Sequence, residues 1–158
     1  PLASIKRLSK RYDDVLVGAG TVLRVEQVQQ VGLAGGRLII SPSTNPGVIA
    51  ASVAAGLFSC PGYFTPSEAF TALDAGAHAL KLFPAEAASP AVVRAQRAVL
   101  PSELQLIIVG GVRPTSFGPW LAAGADGFGL GSGIYKPGQT PDETLIKARA
   151  YSAAVQVQ

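Results

Sequence analysis

Where its alanine-rich stretches begin, this chain repeats one piece of punctuation: Asn45-Pro46, Thr65-Pro66, Ser89-Pro90 and Thr140-Pro141. An Asn, Ser or Thr oxygen accepts from the open N–H groups of a helix's first turn. Proline suits the first helical position because its missing N–H has no partner to lose. Glu68 and Glu143 stand three residues after Thr65 and Thr140, which completes two capping boxes. Glycine closes several of these stretches, in Ala54-Ala55-Gly56, Asp74-Ala75-Gly76 and Ala122-Ala123-Gly124. Between the helices lie short apolar runs: Val15–Val17, Leu38–Ile40, Leu57–Cys60, Ala79–Phe83, Leu106–Val109 and Gly127–Leu130. Strand and helix therefore alternate with a period of roughly 20 to 28 residues.

Strands apolar on both faces, each followed by a helix, imply an α/β protein with a parallel sheet covered by helices. An open doubly wound sheet and a (β/α)8 TIM barrel both satisfy the pattern. The barrel needs eight units, whereas six strands are countable here after a leading helix, Leu2–Arg11, with Leu2, Ile5 and Leu8 on one face. Read as a barrel, the chain is expected to be one domain over residues 1–158, N-terminally incomplete. The first strand, first helix and second strand would be missing, roughly 45 residues.

Composition narrows the function classes. With 48% hydrophobic and 15% charged residues, the 158-residue chain has the apolar content for one packed domain. No apolar run approaches the roughly 20 residues of a membrane span, and PLASIKRLSKR is not expected to act as a secretory signal. A single cysteine, Cys60, and a single histidine, His78, leave no disulfide framework and no thiolate or histidine metal cluster. The net charge of +3, without a basic block interleaved with aromatics, suits a small anion and not nucleic acid. No metal and no cofactor are expected.

The most informative residue is Lys81, in Ala79-Leu80-Lys81-Leu82-Phe83. Alternation puts Ala79, Lys81 and Phe83 on one face and the leucines on the other. Such a lysine either snorkels to water or an ion pair, or sits desolvated and neutral, able to attack a carbonyl and form a Schiff base. Phe83 is core filler or a pocket wall. Two glycine turns follow the last strands, Gly110-Gly111 and Gly129-Leu130-Gly131-Ser132. They are plain tight turns or, as in barrels, a phosphate cradle of backbone N–H groups.

Other residues carry less. Gly18-Ala19-Gly20-Thr21 begins like a dinucleotide fingerprint, but Leu23 stands at the third glycine position, so that reading fails. Thr21 either donates its hydroxyl to a ligand carboxylate or caps the next helix. Cys60 reads as a buried small hydrophobe, His78 as structural, and Glu86 as a solvated loop residue without a role.

The segments VGAGTVL, SPSTNPGVI, CPGYFTPSEAFTALDAGA, ALKLFPA, VLPSELQLIIVGGV and GADGFGLGSGIY together resemble the class I 2-keto-3-deoxy-6-phosphogluconate aldolase family, over Val15 to Tyr135. The resemblance implies the eight-stranded barrel and a lyase. Lys81 would be the Schiff-base lysine and Thr21 would hold the pyruvate-end carboxylate. Gly110, Gly111, Gly131 and Ser132 would hold the phosphate. The residue before the paired glycines tracks the sugar epimer in the family, and Val109 favours galactonate over gluconate. The implied reaction cleaves 2-dehydro-3-deoxy-6-phosphogalactonate to pyruvate and glyceraldehyde 3-phosphate, in galactonate degradation, by a cytoplasmic homotrimer. The family's proton-transfer glutamate and carboxylate-binding arginine belong to strands that this reading places outside the chain. Three alternatives remain: the gluconate or 4-hydroxy-2-oxoglutarate reaction, a thiamin-phosphate-synthase-like barrel, and a non-catalytic phosphate-binding fragment.

Overall fold

The computed structural model describes residues 1–156. The fold is α/β with parallel strands, and the chain divides into two compact units, Pro1–Lys81 and Leu82–Gln158.

The first unit opens with α1 (Leu2–Arg11), followed by β1 (Gly18–Ala19), α2 (Val25–Leu33), β2 (Leu38–Ile40), α3 (Pro46–Ala54) and β3 (Phe58–Cys60). Then come β4 (Gly62–Tyr63), α4 (Pro66–Asp74) and β5 (Ala79–Leu82), whose last residue begins the second unit. β1, β2 and β3 pair in parallel in that order, with Gly18 opposite Leu38 and Ile39 opposite Ser59. Ile5, Val22, Val28, Val31, Ile39, Val48 and Leu57 form the core between this sheet and its helices. On α1 only Ile5 is buried, while Leu2 and Leu8 stay exposed.

The helix signals hold where they are local. Asn45 Oδ1 accepts from Gly47 and Val48 N–H, at 3.0 and 3.2 Å. The Thr65–Glu68 capping box closes in both directions, and its hydrogen bonds hold the Glu68 carboxyl below the usual range. Gly56 and Gly76, just past α3 and α4, have φ of +69° and +91°. The strands shift more. The first lies at Gly18–Ala19 instead of Val15–Val17, because Gly18 sits flush against the Leu38 backbone where a Cβ would collide. Val15 and Leu16 are left about half exposed. Proline and glycine after Cys60 look like a strand end in sequence, yet Gly62–Tyr63 forms β4.

The second unit contains a 3-10 turn (Ala85–Ala87), α5 (Pro90–Arg97), β6 (Gln105–Val109), a 3-10 turn (Pro114–Ser116), α6 (Phe117–Ala122), β7 (Gly127–Gly129) and α7 (Pro141–Gln156). β6 and β7 are parallel, with Ile108 opposite Phe128. Ser89 makes no side-chain cap; its carbonyl alone receives Val92 N–H, and Pro90 supplies the helical φ. Thr140 and Glu143 do form the expected box at α7. Its hydrogen bonds hold the Glu143 carboxyl below the usual range.

One side chain ties this unit together. The Arg97 guanidinium, at the end of α5, donates to Gly124 O and Leu104 O, both at 2.7 Å, and pairs with the Asp126 carboxylate. Asp126 in turn accepts Leu106 N–H at 2.7 Å. Phe117 stacks on Phe128 beside this staple, centroids 4.0 Å apart. Arg97→Leu leaves two carbonyls and a carboxylate without their donor, so it is expected to lower unfolding free energy by about 2–3 kcal/mol in chemical denaturation. A loss below about 0.5 kcal/mol would show that water replaces the guanidinium at no cost.

Candidate active site

Lys81 lies in β5, buried at 7% relative exposure, beside Ala79 and Leu80 at 1% and 0%. Its backbone N–H donates to Pro61 O at 2.9 Å, which fixes the strand against the end of β3. Desolvation pushes its pKa below the ordinary 10.5, opposed by Cys60 only where that thiol ionises. Burial favours the neutral amine, the form that attacks carbonyls. Cys60 is buried as expected, and burial pushes its thiol up to about 11, so it carries no thiolate near neutral pH.

Burying an ammonium also has a stability cost with a definite sign. The folded-state pKa lies below 10.5, so the unfolded chain holds the proton more tightly. The penalty is fully present below the folded value and vanishes as pH rises to 10.5. Lys81→Met, neutral and similar in shape, is expected to melt higher than the parent at neutral pH, with the gap closing as pH approaches 10.5. A variant that melted lower at neutral pH would mean that contacts made by the ammonium outweigh its desolvation.

Thr21 follows β1 directly and has φ of +59°, the sole non-glycine residue with positive φ among the described residues. A β-branched residue there costs about 1–3 kcal/mol, and such outliers cluster at functional sites. The next residue is pinned on both sides: Val22 N–H donates to Ile40 O at 3.2 Å, and Val22 O accepts the Ser41 hydroxyl at 2.7 Å. The alternative role of Thr21 as a helix cap fails, since α2 is capped by Arg24, with Gln27 Oε1 accepting Leu23 and Arg24 N–H. His78 is structural: its Nδ1 accepts Ser59 N–H at 3.1 Å and its ring stacks on Phe58.

In the second unit, Val109, Gly110, Gly111, Gly131 and Ser132 all line one cavity of about 480 Å³. The turn after β6 has φ of +119° at Gly110 and +61° at Gly111, conformations that side chains disfavour. Gly131 has open space where a Cβ would point, so its backbone faces the cavity bare. Phe83 and Tyr151 are apolar walls, as one reading of Phe83 proposed.

Three charged residues of the cavity were not assigned from sequence: Arg113, Lys136 and Glu86. Arg113 stands two residues after the glycine pair and Lys136 a few residues after Ser132, but neither carries a motif. Only the return of both loops to one cavity makes them partners. Two cations, bare backbone and a hydroxyl make a site suited to an anion. Gly110→Ala is expected to destabilise the fold by about 1–3 kcal/mol, read from thermal or chemical unfolding. Unchanged stability would show that the turn relaxes to a side-chain-tolerant conformation.

Among the described residues no helix is long and apolar enough to cross a membrane. The parallel α/β fold and these loops are matched in known proteins. The family model of KDPG and KHG aldolases matches residues 2–148. The 2-dehydro-3-deoxy-6-phosphogalactonate aldolase of Escherichia coli K12 is 46% identical over 97% of this chain and 77% of its own length. A solved structure described as native KDPGal superposes with TM-score 0.95 at 44% identity, over 98% of this chain and 75% of that one. A KDPG aldolase from Legionella pneumophila, solved with pyruvate captured as a covalent carbinolamine, superposes with TM-score 0.78 at 26% identity, over 96% of this chain and 74% of that one. The chain belongs to the KDPG and KHG aldolase family. It is an aldolase, a lyase of carbon–carbon bonds.

Proposed function

We propose that this chain acts as a class I aldolase on 2-dehydro-3-deoxy-6-phosphogalactonate, releasing pyruvate and glyceraldehyde 3-phosphate. The observation that carries the reading is Lys81, a buried amine whose pKa is pushed down by desolvation, in a chain 46% identical to an aldolase named for that substrate. The covalent pyruvate adduct in the Legionella relative supports the imine route.

In this mechanism the neutral Lys81 Nζ attacks the C2 carbonyl, and the carbinolamine loses water to give a protonated imine. The C4 hydroxyl passes its proton to a water molecule as the C3–C4 bond breaks, and that water returns a proton to C3 afterwards. The bonding pair flows into the imine to leave an enamine, and the aldehyde departs as glyceraldehyde 3-phosphate. Protonation at C3 and hydrolysis return the amine and release pyruvate. Thr21 would hold the carboxylate, its strained backbone fitting a functional place. Gly110, Gly111, Gly131 and Ser132 would hold the phosphate, with Arg113 and Lys136 supplying charge. Anchoring that far end orients the breaking bond. Val109, in the same cavity, would favour the galactonate epimer.

The remaining features belong to the same proposal. They are a single (β/α)8 barrel whose first strand, first helix and second strand lie outside these residues, a homotrimeric and cytoplasmic protein, and a place in galactonate degradation.

Two experiments test the reading. Borohydride with pyruvate is expected to add mass irreversibly at Lys81, and Lys81→Ala to abolish it; labelling that survives the substitution would remove Lys81 from the chemistry. Val109→Thr is expected to move the ratio of kcat/KM for the two epimers toward gluconate by roughly tenfold or less, the value of one hydrogen-bonded hydroxyl. A fixed ratio would reduce Val109 to packing.

A further inference from the structure

We propose that Glu86 tunes the affinity of the glycine-lined cavity, its charge setting how loosely that cavity holds a phosphate dianion. The inference rests on the phosphate reading of the cavity given above. Glu86 lies in the turn Ala85–Ala87 and lines the same space as Gly110, Gly111, Arg113 and Lys136. Its side chain lies flat on the twin-glycine turn. A Cβ built at Gly111 would be 2.7 Å from Glu86 Cγ and 2.9 Å from Oε1, and one at Gly110 would overlap Oε2. The glycine pair therefore makes room for this carboxylate as well as for an anion.

A carboxylate accepts hydrogen bonds and repels a second anion, the reverse of what a pure phosphate cradle needs. With Arg113 and Lys136 as the cations of the cavity, Glu86 cancels one of the two positive charges. Electrostatic binding to the phosphate end is felt equally by the phosphorylated substrate and the phosphorylated triose product. Interactions of that uniform kind do not speed bond cleavage, and they slow product release. Glu86 limits them, so the cavity orients the phosphate without retaining the product.

The test compares inorganic phosphate binding to the full chain, by calorimetry, in the parent and in Glu86→Gln, which keeps the shape and removes the charge. Glu86→Gln is expected to bind phosphate about five- to tenfold more tightly, with the gain shrinking as salt is raised. A merely structural side chain would not produce that salt dependence. Glu86→Ala, which also lacks the charge, gives the same reading if the glutamine variant does not fold. Parent and variant binding phosphate equally, or the variant binding it more weakly, overturns the role of Glu86 and leaves the phosphate site standing. No phosphate binding by any of the proteins overturns both.

Discussion

The desolvation of one lysine organises what this molecule can do. β5 is buried along its whole length, which leaves a lysine in it little access to water. All four of its residues are buried, and Lys81 shares the fate of Ala79, Leu80 and Leu82. Burial pushes down the amine's pKa, so the cost of burying its charge and the nucleophilicity proposed for it have the same cause. The nearest thiol, Cys60, is itself held protonated by burial, so it does not supply the counter-charge of a thiolate near neutral pH.

Much of the fold was legible because its signals are local. Asn45, Thr65 and Thr140 act as caps where the sequence put them, since a cap needs only residues two or three positions away. β2 was legible to the residue, and β6 and β7 nearly so, as short runs closed by Ser41, Gly110 and Gly131. β1 was not, because its position depends on which residue can lie against the Leu38 backbone, a long-range contact that favours Gly18 over the more apolar Val15–Val17. Ser89 failed as a side-chain cap although it matches the pattern.

The candidate cavity was legible in part, although neither Lys81 nor Thr21 lines it. Lysine among leucines and paired glycines after strands are visible in one dimension, and the cavity gathers the glycines, Ser132 and Val109. Arg113, Lys136 and Glu86 were not visible, because charged loop residues look alike until the chain folds two loops together. The strain at Thr21 was equally hidden: nothing in Gly-Thr-Val announces a φ of +59° on a β-branched residue.

The unfavourable features fall at one end of their strands. Thr21 follows β1, the positive-φ pair Gly110-Gly111 follows β6, and Lys81 stands near the C-terminal end of β5. The stabilising ones lie at the opposite ends: Asp126 precedes β7 and accepts from Leu106 early in β6, with Arg97 joined to both loops, while His78 precedes β5. In parallel α/β proteins the C-terminal ends of the strands carry the chemistry. The division has a physical basis. Strain and a buried cation persist only where rigid surroundings hold them, and the hydrogen bonds before β5, β6 and β7, with those of Val22 and Lys81 N–H, supply that rigidity. The loops after β6 and β7 can therefore vary in sequence without disturbing the contacts of Arg97 and Asp126.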